Sequence, residues 1–102
     1  MTEFLVERYW PGVRDDDVRQ ASQRLAAAAV SLTHDGAAVR YLGSSLVAVD
    51  EMVVCQFVAD CEDTVIQLNA LAGVSYDRIV VAVGFPQSSR GILAHQRPQL
   101  GP

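Results

Sequence analysis

AAVRYLGSSLVAVDEMVVCQFVA, residues 37–59, decides the fold. Both halves are rich in β-branched and aromatic residues, and they meet at Asp50-Glu51, a polar pair suited to a tight turn. The pattern predicts two antiparallel strands, 37–49 and 52–59, joined as a hairpin. Gly43-Ser44-Ser45 interrupts the first strand and points to a bulge or bend there. The same three residues lack the glycine spacing and lysine of a phosphate loop.

A helix flanks the hairpin on each side. Upstream, RDDDVRQASQRLAAAAVSLTHDG (14–36) repeats Val18, Ala21, Leu25, Ala28 and Leu32 at three- and four-residue steps along one face. Asp15, Asp16 and Asp17 sit at its start, where a carboxylate caps free N–H groups and complements the positive end of the dipole. Successive helical residues turn by about 100°, so the three do not converge on one metal ion. Gly36 stands where the chain leaves the helix with positive φ. Downstream, Asp60-Cys61-Glu62-Asp63 opens a second helix with Asp60 or Cys61 at the cap. Val65, Leu68 and Ala72 form its inner stripe, and Gly73 ends it.

Two further strands come first and last in the chain order. FLVERYWPG (4–12) runs into the strong turn signal Pro11-Gly12, and DRIVVAV (77–83) follows the second helix. The order is βαββαβ. This is the split-βαβ, ferredoxin-like arrangement: an α+β fold with a four-stranded antiparallel sheet and two helices on one face. Residues 1–83 form one domain. Residues 84–102 form a tail of Gly, Pro, Gln and Ser, flexible by composition, with Ile92 and Leu93 as candidate anchors on the domain or a partner subunit.

Two helices cover one sheet face, and a strand with a solvated second face alternates apolar with polar. The third strand does not. Met52, Val54, Gln56 and Val58 fall on one side, and Val53, Cys55, Phe57 and Ala59 on the other. The fourth strand is apolar on both sides as well. A face left open would form an apolar patch that soluble monomers rarely show, so the pattern predicts a homodimer through the helix-free face. If Phe4 and Val6 point to the helices, Glu7 and Tyr9 point into the space between subunits.

The chain has 102 residues, half of them apolar, with a net charge of −4. All eight cations are arginine, which together with the Ala and Val content suggests a GC-rich bacterial coding sequence. Nucleic-acid binding needs clustered cations and is not expected. No apolar run approaches the roughly 20 residues that span a bilayer, and the first residues lack the basic region of a secretory signal. Cys55 and Cys61 form no CxxC and read as reduced thiols in a cytoplasmic protein.

FLVERYWPGV, VRYLGSS, DEMVVCQFVA, the helix end ALAG and YDRIVVAV together resemble a bacterial family of small ferredoxin-like proteins, many labelled nickel-binding and many of unknown function. The resemblance spans about residues 3–83. It implies a dimeric α+β fold and, for some members, octahedral nickel held by histidines and oxygen ligands. Those histidines lie in the first strand, on the first helix and near the end of the second. This chain instead has Glu7 and Arg8, then Ser22, Gln23 and Arg24, then Asn69-Ala70-Leu71-Ala72-Gly73. Its histidines are His34, at a helix end where it complements the dipole, and His95 in the tail. Glu7, Glu51, Cys55 and Asp77 remain as candidate metal donors.

Three functions are compatible with this sequence. The first is a binding protein whose dimer encloses a site for a small molecule or a divalent transition metal such as nickel, lined by Glu7, Tyr9, Tyr41, Cys55 and Gln56. The competing structural role for Glu7 is a salt bridge with Arg8 or Arg40. The second is a cofactor-free enzyme of the dimeric barrel type, with Glu7 as general base and Tyr9 or Tyr41 as hydrogen-bond donor. Cys55, among apolar neighbours, is expected to be inert. The third is a structural module that binds other proteins.

Overall fold

The computed structural model describes residues 1–85. Its elements run β1 (Thr2–Tyr9), α1 (Asp15–His34), β2 (Val39–Val47), β3 (Met52–Ala59), α2 (Glu62–Ala72) and β4 (Arg78–Ala82). The four strands form one antiparallel sheet in the order β2-β3-β1-β4. The protein is an α+β, ferredoxin-like fold. The expected anchors Ile92 and Leu93, and His95, lie outside the described residues.

Every buried sheet residue lies on one side. Phe4 pairs with Phe57 and Val6 with Cys55 across β1 and β3, and Val39 joins Ala59 from β2. These side chains meet Ala21, Leu25, Ala28, Ala29 and Leu32 of α1 and Val65, Leu68 and Ala72 of α2 in one core. An arginine of α1 helps to dock the helices: Arg24 Nε donates to the Ala72 carbonyl at 3.1 Å, at the end of α2 where carbonyls lack helical partners.

Local signals set the element ends. Arg14 precedes α1, and its backbone N–H donates to Asp17 at 2.9 Å, so the third aspartate of the triplet closes the first turn. Both helices end in the same way. The Ala37 N–H reaches back to the Leu32 carbonyl at 2.9 Å, and the Val74 N–H to the Asn69 carbonyl at 3.0 Å, with Gly36 and Gly73 at positive φ between. Cys61, not Asp60, occupies the cap position of α2.

The hairpin turn differs from a simple two-residue connection. Ala48–Asp50 form a 3₁₀ turn and Glu51 adopts φ +50°, so β2 ends two residues earlier than the sequence predicts. Glu51 is held there by long-range bonds. Its carbonyl accepts from Trp10 N–H at 2.7 Å and its carboxylate from Gly12 N–H at 2.8 Å. The turn after β1 and the turn before β3 are thereby one unit.

The expected bulge is present at Tyr41–Gly43. Tyr41 faces Phe57 and Gly43 faces Gln56, so β2 spends two residues against one of β3. Because side chains alternate along a strand, the extra residue reverses the facing of everything after it. Ser44 and Leu46 therefore point to the helix side with Tyr41, and Leu42 is left exposed. Gly43 sits at φ +135°, outside the range of ordinary side chains.

Candidate functional site

The four residues expected to share a site lie on opposite faces of the sheet. Glu7 is opposite Val54 and Arg78, on the face without helices, and Tyr9 is opposite Met52 on that same face. Cys55 is opposite Val6 and Ser44, and Tyr41 is opposite Phe57, beneath α1. The expectation of one cavity lined by all four is corrected by this register: Cys55 and Val54 are sequence neighbours and so face opposite ways. Gln56 lies on the helix-free face with Glu7.

On the helix-free face, Glu7 Oε1 accepts from Arg78 Nε at 2.7 Å. The partner is the β4 arginine and neither of the two, Arg8 or Arg40, expected from sequence. Its carboxylate partner raises the Arg78 pKa. Leu5, Val54, Val58 and Val80 lie on the same face, all half-buried, and share it with Glu3, Arg40, Ser45 and Gln56, so apolar and polar side chains are mixed there. Asp77 fixes the end of β1 beside it: its N–H donates to the Glu7 carbonyl at 2.8 Å, and its carboxylate accepts from Tyr9 N–H at 2.5 Å.

On the helix side, a chain of hydrogen bonds runs inward from α1. Ser22 Oγ and Tyr41 Oη are 2.7 Å apart, Tyr41 Oη and Ser44 Oγ 2.5 Å, and Ser44 donates to Cys55 Sγ. The bulge makes this chain by turning Ser44 inward. Burial pushes the Cys55 thiol above its usual pKa, while the Ser44 hydrogen bond and the Arg8 charge oppose the shift. Burial is the largest of the three influences.

Cys55 borders a small enclosed cavity between sheet and helices. Val6, Arg8, Trp10, Ser44 and Asn69 also line it, and it has a free volume of about 10 Å³, room for about one water molecule. Arg8 lies over the Trp10 ring, 3.8 Å from its centre. Asn69 is fully buried. Its Nδ2 donates to the Val65 carbonyl at 2.9 Å, and its Oδ1 has no partner among the described residues. An open groove of about 410 Å³, bordered by Asp15, Arg19, Ser22 and Gln23, shares Val18 and Ser44 with the cavity as a common wall.

Arg8 and Asn69 did not stand out as site residues in the sequence. Arg8 follows Phe4 and Val6 at alternate positions, which marks it as inward-facing. Asn69 falls four residues after Val65, within the inner stripe of α2, which is an equally readable sign of a buried polar group.

Among the described residues, no three His, Cys, Asp or Glu side chains gather within reach of one ion. The Glu7 carboxylate is engaged by Arg78, and the neighbours of Cys55 are the Ser44 hydroxyl and the Arg8 charge. His34 is exposed at the end of α1. A divalent transition metal needs imidazole, thiolate or carboxylate donors free of competing cations.

No family model matches the chain, and no curated protein matches it. Among solved structures, the crystal structure of SCO4226 from Streptomyces coelicolor A3(2) is similar, with a TM-score of 0.60 and 18% sequence identity. The match covers 85% of this chain and 99% of that one. At that identity the likeness establishes the fold alone. No helix among the described residues is long and apolar enough to cross a membrane.

Proposed function

We propose that the chain is a small-molecule-binding protein that works as a homodimer, with the helix-free sheet face against a second copy and the ligand on the helix side. The observation that carries the binding role is the cavity at Asn69. A fully buried amide oxygen without a partner among the described residues is costly, and Asn69 shares the lining of this cavity with Ser44, Cys55 and Arg8 in a largely apolar setting. A few placed polar groups in an apolar enclosure are the usual make-up of a ligand site. Tyr41 and Cys55 belong to this site, while Glu7 and Tyr9 belong to the subunit interface.

The dimer is supported by the helix-free face itself. Leu5, Val54, Val58 and Val80 form a patch that water does not solvate well. Two such faces related by a twofold axis bury each other, and each Glu7–Arg78 pair offers both charges to its symmetry mate. Two free cysteines suit a reducing compartment, the cytoplasm.

Native mass spectrometry of tag-free protein tests both halves. The expected result is a species of twice 11.0 kDa carrying additional mass of a small molecule. A bare monomer at micromolar concentration would contradict both.

A further inference from the structure

Two groups on the wall of the Asn69 cavity have opposite unmet needs. Asn69 Oδ1 is fully buried and accepts no hydrogen bond from the described residues. Arg8 is half-buried and, among the described residues, pairs with no carboxylate. Arg8 lies over the Trp10 ring, and the N–H donors of a guanidinium lie in its own plane. Those in-plane donors match the two oxygens of a carboxylate. The amide oxygen calls for an O–H or N–H donor.

A ligand that satisfies both must be an anion with its own donor. We infer that the cavity and its adjoining groove take a small hydroxycarboxylate, with the carboxylate on Arg8 and the hydroxyl donating to Asn69 Oδ1. The ligand class rests on the binding role proposed above.

The closed cavity is too small for the whole ligand, and the groove supplies the remaining room. Among the described residues only Val18 and Ser44 line both spaces, and entry of the ligand requires these two side chains to rotate. Ser44 then exchanges its bond to Cys55 Sγ for one to the ligand, and the Tyr41 hydroxyl remains beside it. A metal cation is disfavoured at this position by the Arg8 charge. No bond to carbon is made or broken: the site binds, and the Cys55 thiol stays protonated.

The test is a titration of uniformly ¹⁵N-labelled full-length protein with glycolate, acetate and glycolamide, read on the Asn69 side-chain amide and on Arg8 Nε. Glycolate has both groups, acetate lacks the hydroxyl, and glycolamide lacks the charge. The expected result is saturable shifts at both probes with glycolate, and binding weaker by about tenfold or more with each analogue, since each leaves one protein group unmet. Arg8→Met should abolish the glycolate shift at Asn69 while the remaining backbone amides stay in place. Arg8 is half-exposed at a strand end, so that variant keeps the core.

Three results would overturn the assignment. One is no saturable shift with any of the three, which would also remove the cavity's binding role and leave it a site for water only. A second is tighter binding of glycolamide than glycolate at Asn69, which would keep the binding role and reject the anion. The third is unchanged glycolate binding in Arg8→Met.

Discussion

Glu7 and Arg78 face each other across β1 and β4, with 2.7 Å between Oε1 and Nε, at the β4 edge of a sheet face that no helix among the described residues covers. In a lone subunit the arginine is well exposed, and a surface ion pair of this kind contributes about 0–1 kcal/mol. Enclosed between two subunits, the same pair loses its water, and removal of one partner then costs about 3–5 kcal/mol. Glu7→Gln therefore reports on the surroundings of the pair. The dimer account predicts a loss at the upper end, with weakened subunit association, measured by urea unfolding at several protein concentrations.

Cys55 and Cys61 should separate cleanly in alkylation. Cys61 is exposed at the start of α2, whereas Cys55 is buried with its pKa raised. Iodoacetamide at neutral pH should modify Cys61 and spare Cys55, as read by peptide mass spectrometry. The raised pKa also sets a sign for stability. Below the thiol's unfolded pKa both states are protonated and the full contribution is present. As pH rises through that value the unfolded chain ionises and the folded one does not, so stability falls until the folded pKa is reached. Cys55→Ala should lose that alkaline component of the thermal-midpoint profile.

Gly43→Ala tests the bulge. A Cβ at Gly43 would meet nothing within 4 Å, so the cost is confined to the backbone at φ +135°. That cost is about 1–3 kcal/mol, measured by chemical denaturation. Because the bulge turns Ser44 inward, the variant should also alter the Ser44–Cys55 contact and speed alkylation of Cys55.

Asn69→Leu separates binding from stability. It removes a buried amide with one orphaned oxygen and places an apolar side chain of similar size beside Leu68 and Val65. The expected change in unfolding free energy is within about 1 kcal/mol of wild type or a gain, whereas Leu68→Ala should cost about 2–5 kcal/mol. A residue kept at a cost to stability is the pattern of a functional group. A large loss on Asn69→Leu would instead assign Asn69 a packing role.

The sequence was legible where a signal is local and periodic. The bounds of β3, the stripe of α1, the glycine helix ends and the bulge at Gly43 follow from spacing and from the few residues that tolerate positive φ. What escaped was set by register between distant strands. The pairing of Glu7 with Arg78 depends on β4 lying beside β1, and no local pattern carries that information. The division of Tyr41 from Glu7 and Tyr9 depends on one inserted residue, Leu42, whereas Cys55 is divided from them by the pairing of β3 with β1. Asn69 was readable as an inward position, but its orphaned oxygen emerges only once Val65 has taken its amide and the neighbours of α2 are in place.

The most direct measurement is sedimentation velocity of wild-type protein and Val54→Glu at micromolar concentration. Val54 lies at the centre of the helix-free face, opposite Glu7 and Ser45, and makes no part of the helix-side core. The account predicts that the wild type sediments as a dimer of twice 11.0 kDa, and that Val54→Glu sediments as a monomer with its circular dichroism spectrum retained. A wild-type monomer, or a dimer that Val54→Glu leaves intact, would contradict it.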